Sequence, residues 1–162
     1  MMARMRLTHT MTYDAAAAAV GAMLDDPAYR DEVIEAQGSL RGTATFDQDG
    51  DTVVVVVDQV HPAEGIPGFA KKFVGDEINI VQREEWTSDS YADLHVTIPG
   101  KPGQMVGSIT ITDDGGTATE TVDVEITVNI PLVGGKIEKL IGDLLRKALR
   151  AEERVAHDYL SR

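Results

Sequence analysis

The stretch from residue 117 to 130 constrains the fold most. Val122, Val124, Ile126, Val128 and Ile130 alternate there with Thr121, Asp123, Glu125, Thr127 and Asn129. A period of two belongs to an extended strand with one buried and one wet face, as in an antiparallel sheet. Similar runs precede it. Residues 39–47 and 51–60 flank Asp49-Gly50, a hairpin turn in which glycine tolerates the positive φ required. Residues 77–87 and 91–98 are joined by Ser88-Asp89-Ser90, and Pro99-Gly100-Lys101-Pro102-Gly103 leads into 104–112. Asp113-Asp114-Gly115-Gly116 then turns the chain into 117–130. At the start, residues 4–11 place Met5, Leu7, His9 and Met11 on one side of a further strand.

The remaining segments read as helices. Asp14 precedes Ala15-Ala16-Ala17-Ala18-Ala19-Val20, a strong helix former behind an N-cap residue. Asp26-Pro27 opens a second helix, which Gly38 closes. Pro131 ends the last strand, Gly134-Gly135 loosens the chain, and residues 136–160 form a long helix. Its apolar positions, Ile137, Leu140, Ile141, Leu144, Leu145, Ala148, Leu149, Ala151, Val155 and Tyr159, fall on one broad face. Residues 61–74 interrupt the strands with Pro62, Gly65, Pro67 and Gly68, and hold a short helix around Phe69-Ala70-Lys71-Lys72-Phe73. An insert of this kind serves as a lid, or as a connection whose Phe69 and Phe73 cap the core.

The chain of 162 residues is long enough to bury a core, and residues 1–162 are expected to form one domain. It has no Cys, so disulfides, thiolate metal sites and Cys nucleophiles are excluded. The formal net charge is −12, with 8 basic against 22 acidic residues up to position 130 and 7 against 5 after it. That balance disfavours nucleic acid and anionic lipid as partners. No run approaches the ~20 apolar residues that span a bilayer, so no stable membrane insertion is expected. With no signal peptide visible, a cytoplasmic location is the default.

The element order β-α-α-β-β-β-β-β-β-α is that of a helix-grip fold, an α+β architecture in which a curved seven-stranded antiparallel sheet surrounds a long C-terminal helix. Four blocks carry a closer likeness: Leu24-Asp25-Asp26-Pro27-Ala28-Tyr29-Arg30, Gly68-Phe69-Ala70-Lys71-Lys72-Phe73-Val74-Gly75-Asp76, Glu84-Glu85-Trp86, and Ile130-Pro131-Leu132-Val133-Gly134-Gly135-Lys136-Ile137-Glu138-Lys139. With them the chain resembles the START-like (SRPBCC) superfamily, which includes lipid transfer domains, plant pathogenesis-related allergens and aromatic polyketide cyclases. It is most similar to an actinobacterial branch, domain-of-unknown-function family 2505. The resemblance implies a cavity between the long helix and the sheet that takes an apolar or polycyclic ligand. It implies no reaction, since a fold does not fix a function.

The chemistry-bearing residues are few. His9, His61, His95 and His157 form no close metal-type pair, so no metal site is expected. His9 shares a strand side with Met5, Leu7 and Met11 and points inward; His95 and His157 are expected on wet faces. Glu84 shares the parity of Ile78, Ile80 and Trp86, unless a bulge reverses it. Glu152 lies at the edge of the long helix's apolar face, where burial would raise its pKa and fit it for acid–base work. Asp47, Asp49, Asp51, Asp113 and Asp114 are turn residues without an EF-hand ligand pattern. No phosphate-binding loop, dinucleotide fingerprint or Gly-x-Ser-x-Gly occurs, and no cofactor is expected.

The leading expectation is therefore a binding protein for a small apolar ligand, such as a lipid, a sterol-like or a polyketide-like molecule. The expected walls are Trp86, Leu94, Met105, Ile109, Val124, Ile126, Leu140, Leu144, Ala148 and Val155. Two alternatives stand beside it: a cyclase- or hydrolase-like enzyme using His9, Glu84 or Glu152 in the same cavity, and a ligand-free interaction module. No residue is assigned a catalytic role, and nothing in the sequence sets an oligomeric state.

Overall fold

In the computed structural model, residues 3–162 are described, and they form one seven-stranded antiparallel sheet and four helices. Strand β1 (Ala3–Tyr13) leads into helices α1 (Ala17–Leu24) and α2 (Pro27–Ala36). Strands β2 (Arg41–Asp49) and β3 (Thr52–Pro62) form the first hairpin, and the short α3 (Gly68–Val74) follows. Strands β4 (Glu77–Ser88), β5 (Tyr91–Thr97), β6 (Gly103–Asp114) and β7 (Thr117–Val128) precede α4 (Gly134–Leu160). The sheet order is β1-β7-β6-β5-β4-β3-β2, so the N-terminal strand closes onto the last one. This is the α+β helix-grip order expected from the sequence.

The sheet is curved, and its concave face is lined by the alternating residues. Leu7, Met11 and Tyr13 of β1, Leu94 and Val96 of β5, and Val122, Val124 and Ile126 of β7 are all buried. At Gly107, on β6 opposite Val124, a Cβ would overlap the Asp123 carbonyl oxygen. Only glycine lets β6 run so close to β7 there. A register shift in the β4–β5 pair falls between Trp86 and Ser88. It comes after Glu84 and Trp86, so both keep their inward parity.

Helix α4 has 27 residues, about 40 Å of helix. It packs across β1 and β7 and against α1 and α2. Gly142 brings it close to β1, since a Cβ there would stand 2.8 Å from Met5 Cε. At its C-terminal end Tyr159 meets Tyr29 edge-on at 5.6 Å and donates a 2.5 Å hydrogen bond to Asp26. Gln37, just past α2, donates to the Ala148 carbonyl at 3.1 Å.

Three local expectations are corrected. Asp14 does not cap α1: the helix starts after Ala16, and the amide of Ala17 donates at 2.8 Å to Asp113, near the end of β6. The long helix begins at Gly134, two residues before the expected 136, because the reversal before it is made at Leu132 with φ 70°. Of the two insert aromatics, Phe73 packs with Ile66, Ala70, Val128 and Ile137 in a small second core. Phe69 is 37% exposed, because α3 turns it away from that core. Among the described residues no helix is long and apolar enough to cross a membrane.

Candidate functional site

Between α4 and the strands β4–β7 lies an internal cavity of about 20 Å³, room for roughly one water. Leu24 closes one end. Leu94 and Val96 of β5, Met105 and Ile109 of β6, and Val122 and Val124 of β7 form the sheet wall. Leu145 and Leu149 of α4 form the roof. Four polar side chains interrupt this apolar lining: Gln82, Glu84, Glu120 and Glu152.

Glu84 is fully paired. It is 1% exposed and accepts two parallel hydrogen bonds of 2.8 Å from the Arg30 guanidinium, a bidentate ion pair buried at both partners. Trp86 Nε1 donates to it at 2.9 Å and Gln82 Nε2 at 2.6 Å. Arg30 Nε donates to the Leu24 carbonyl at 2.8 Å. Burial alone would raise the Glu84 carboxyl, but the Arg30 charge and these hydrogen bonds outweigh it and hold its pKa below the ordinary value. Arg30, placed by α2 behind the Asp26 cap, is thus consumed by Glu84.

Glu120 and Glu152 are not paired with a cation. Glu120, on β7 opposite Met11, is 2% exposed, and its Oε1 finds no hydrogen-bond partner. Burial first, then the nearby charges of Glu152 and Glu84, push its pKa well above the ordinary value, although Arg30 and Tyr13 pull the other way. Glu152 is half-buried on the underside of α4. Burial pushes its pKa up to about 7, with Glu84 adding to the rise and Arg30 opposing it. The Tyr13 and Tyr29 hydroxyls lie in the same charged neighbourhood, and burial raises both above the ordinary tyrosine value. A carboxyl whose pKa is pushed up to about 7, beside a second carboxyl whose pKa is also raised, can hold, give or take a proton at the pH of a cell.

The family described as "Protein of unknown function (DUF2505)" matches residues 8–160. The chain belongs to this family. Uncharacterized proteins Rv0481c of Mycobacterium tuberculosis and Mb0491c of Mycobacterium bovis are each 27% identical to it over 112 residues, 65% of this chain. The match spans 64% of the length of these curated relatives. Among solved structures, an aromatase/cyclase from Streptomyces sp. R1128 superposes with a TM-score of 0.67 at 11% identity, covering 99% of this chain and 95% of that one. A START superfamily protein from Mycobacterium smegmatis gives 0.62 at 14% identity, covering 96% and 98%. Norcoclaurine synthase from Thalictrum flavum gives 0.62 at 11%, covering 96% and 94%. These likenesses establish the START-like helix-grip fold for this DUF2505 member.

Of the ten wall residues expected from the sequence, Leu94, Met105, Ile109 and Val124 line the cavity. Trp86 instead borders a second pocket of about 50 Å³ with Gly21, Val53 and Asp89, its indole N–H turned to Glu84. Ile126 is fully buried in the main core, and Leu140 packs into the small core with Val128 and Ile137. Ala148 and Val155 are half-buried outside the lining. Leu144 is 42% exposed, because it lies at the outer edge of the helix's apolar face.

Of the three candidate acid–base residues, Glu84 and Glu152 line the cavity and His9 does not. His9 Nε2 is buried without a hydrogen-bond partner, 3.9 Å from Glu153. His95 is exposed and bonds Gln104 at 3.0 Å, His61 bonds Gln59 at 3.0 Å, and His157 stands against the Tyr13 ring at 5.1 Å. Glu120 was missed from the sequence. Its parity with Val122 and Val124 on the cleanest strand was the available sign. Among the described residues no group of three His, Cys, Asp or Glu is arranged to hold a metal ion.

Proposed function

We propose that this protein binds a small, largely apolar molecule in the cavity between α4 and the sheet. The observation that carries the reading is the lining itself: nine apolar side chains from α1, three strands and α4 converge on one internal space with a few polar groups at one side. Ligand sites commonly have this composition. The space is nearly filled by its own side chains, so binding requires Met105, Leu145 and Leu24 to move. Met105 is flexible and only half-buried, and Leu145 is half-buried on the helix. The shared fold with an aromatase/cyclase and a START superfamily protein supports the position of the site, and leaves lipid, sterol-like and polyketide-like ligands as candidates.

The test is native mass spectrometry of the gently purified chain with extraction of bound molecules, together with titration by an apolar fluorescent probe. A reproducible adduct of drug-like mass, or saturable one-to-one probe uptake, is expected. A clean protein mass combined with no probe uptake would overturn the reading in favour of an interaction module without a ligand.

A second reading, acid–base catalysis in the same cavity, is favoured by one observation: the Glu152 carboxyl lines the cavity beside apolar walls, where burial pushes its pKa up to about 7. Glu84 is unsuited to that work, because Arg30 holds it ionised. Turnover of a bound molecule that disappears in Glu152→Gln while binding persists would establish it.

A further inference from the structure

We propose that the ligand carries a protonated amine, which seats between Glu120 and Glu152 while its apolar body lies along β5 and β6. This rests on the cavity being the binding site. The argument starts from the supply of charge. Three carboxyl groups face one small space, and the guanidinium beside them is spent on Glu84 through two parallel hydrogen bonds. Among the described residues no Lys, Arg or His lines the cavity. Glu120 Oε1, in a side chain 2% exposed and lining that space, has no donor at all. An unmet buried acceptor is costly, and native structures hold few of them. A donor supplied by a ligand would satisfy it.

Charge decides which donor. A ligand carboxylate would meet two further carboxyls and no free cation, and would be rejected. A neutral hydroxyl would satisfy the orphan oxygen but bring no charge to offset the two carboxyls. An ammonium group has three donors, and it would be held by charge-assisted hydrogen bonds in a site already stripped of water. The two carboxyls oppose each other's ionisation in the empty site, and a cation between them removes that opposition.

Binding of an ammonium favours the ionised carboxyls and expels the Glu152 proton, so the affinity rises as pH increases through about 7. The groups facing the pair are Tyr13 from β1, Tyr29 and Arg30 from α2, Glu84 from β4 and the neighbouring Glu153 on α4. The tyrosines remain protonated and the Arg30–Glu84 pair remains charged across that range. From β5 and β6 only apolar side chains line the space.

The test compares 4-phenylbutylamine, 4-phenylbutanol and 4-phenylbutyrate, one apolar body with three head groups, by calorimetric titration of the full chain at pH 6.5. The amine is expected to bind at least tenfold more tightly than the alcohol, with the acid weakest, and to release protons in paired buffers of different ionisation enthalpy. Glu120→Gln and Glu152→Gln should each bring the amine to within about threefold of the alcohol. Should Glu120→Gln fail to fold, Glu152→Gln, on a half-buried helix position, carries the comparison alone. Equal binding of amine and alcohol, or preference for the acid, overturns the inference and leaves the binding site standing. Amine preference that survives in the variants marks adsorption to the acidic surface, and also overturns it. No binding of any of the three overturns the site and the inference together.

Discussion

Arg30 and Glu84 illustrate how one buried pair sets the terms for its neighbours. Each alone would be an intolerable charge in the interior, and together they satisfy five of their donors and acceptors within the protein. Removing one partner strands the other. Arg30→Met is expected to cost about 3–5 kcal/mol at neutral pH. Adding Glu84→Gln to it should recover part of the loss, because the stranded carboxylate is gone; urea denaturation of both variants checks this.

Glu152 acts in the opposite sense. Its folded pKa of about 7 stands above the ordinary 4.5, so the folded protein binds that proton more tightly than the unfolded chain. Its contribution to stability is fully present below about pH 4.5 and is lost as pH rises through about 7. Glu84, with its lowered pKa, contributes above its ordinary value and loses that contribution as pH falls through the folded pKa. Glu152→Gln should therefore match the parent near pH 4.5 and exceed it by roughly 1 kcal/mol or more at pH 8, each pKa unit being worth about 1.4 kcal/mol. Denaturation midpoints across that pH range give the answer, and a parent protein that gains on Glu152→Gln at high pH would sink the assignment.

At the scale of elements, the ends of the helices show how far local sequence carries. Asp26-Pro27 is a local cap: the Asp26 side chain accepts from the Ala28 amide at 2.9 Å, as its spacing suggests. The cap of α1 is not local. Asp113 reaches Ala17 from 96 residues away in sequence, and it also accepts at 3.0 Å from the amide of Gly116 in the turn that follows β6. Both bonds lower its pKa. Asp113→Ala is expected to cost about 1 kcal/mol, the usual worth of a cap. Asp14→Ala, at an exposed position with no such role, should stay within about 0.5 kcal/mol. Chemical denaturation of the two variants separates a tertiary cap from the local one that the sequence suggests.

The same contrast explains what was legible. Alternation places side chains on a face, so Glu84 was visible as an inward acid and Leu94, Met105, Ile109 and Val124 as wall residues. The partner of that acid was not visible, because Arg30 sits on a helix 54 residues away and its burial depends on where α2 docks. Leu144 shows the limit on helices: the apolar stripe of α4 is wider than the groove it covers, so periodicity alone does not say which of its leucines reach the cavity. Glu120 was hidden for a different reason. A carboxyl on a buried face breaks the pattern by which buried faces are recognised, and so the most informative side chain of the site reads as an irregularity.

The whole molecule is a sheet gripping one helix, and different elements hold that helix along its length. The second half of α4 is held by α2, with Leu149, Ala151 and Ala156 buried. In the half that begins at Gly134, Ile137, Glu138 and Gly142 are buried, and Leu140, Ile141 and Leu145 are partly buried. Leu145 forms part of the cavity roof, and Leu140 packs outside it against the small core. Truncating either leucine removes apolar contact, and each is expected to lose about 2 kcal/mol, the low end for a Leu→Ala change because neither is fully buried. Their effects on binding should differ. Leu145→Ala adds space to a cavity that holds only about 20 Å³ and should take up an apolar probe several-fold more tightly than the parent. Leu140→Ala opens space elsewhere and should leave the probe's affinity within about twofold, as mutations at separate sites act independently. Probe titration beside urea denaturation distinguishes the cases. Equal gains in both variants would mean that the helix loosens as a whole, so that binding follows stability. A gain confined to Leu145→Ala would tie binding to the space beneath the helix roof.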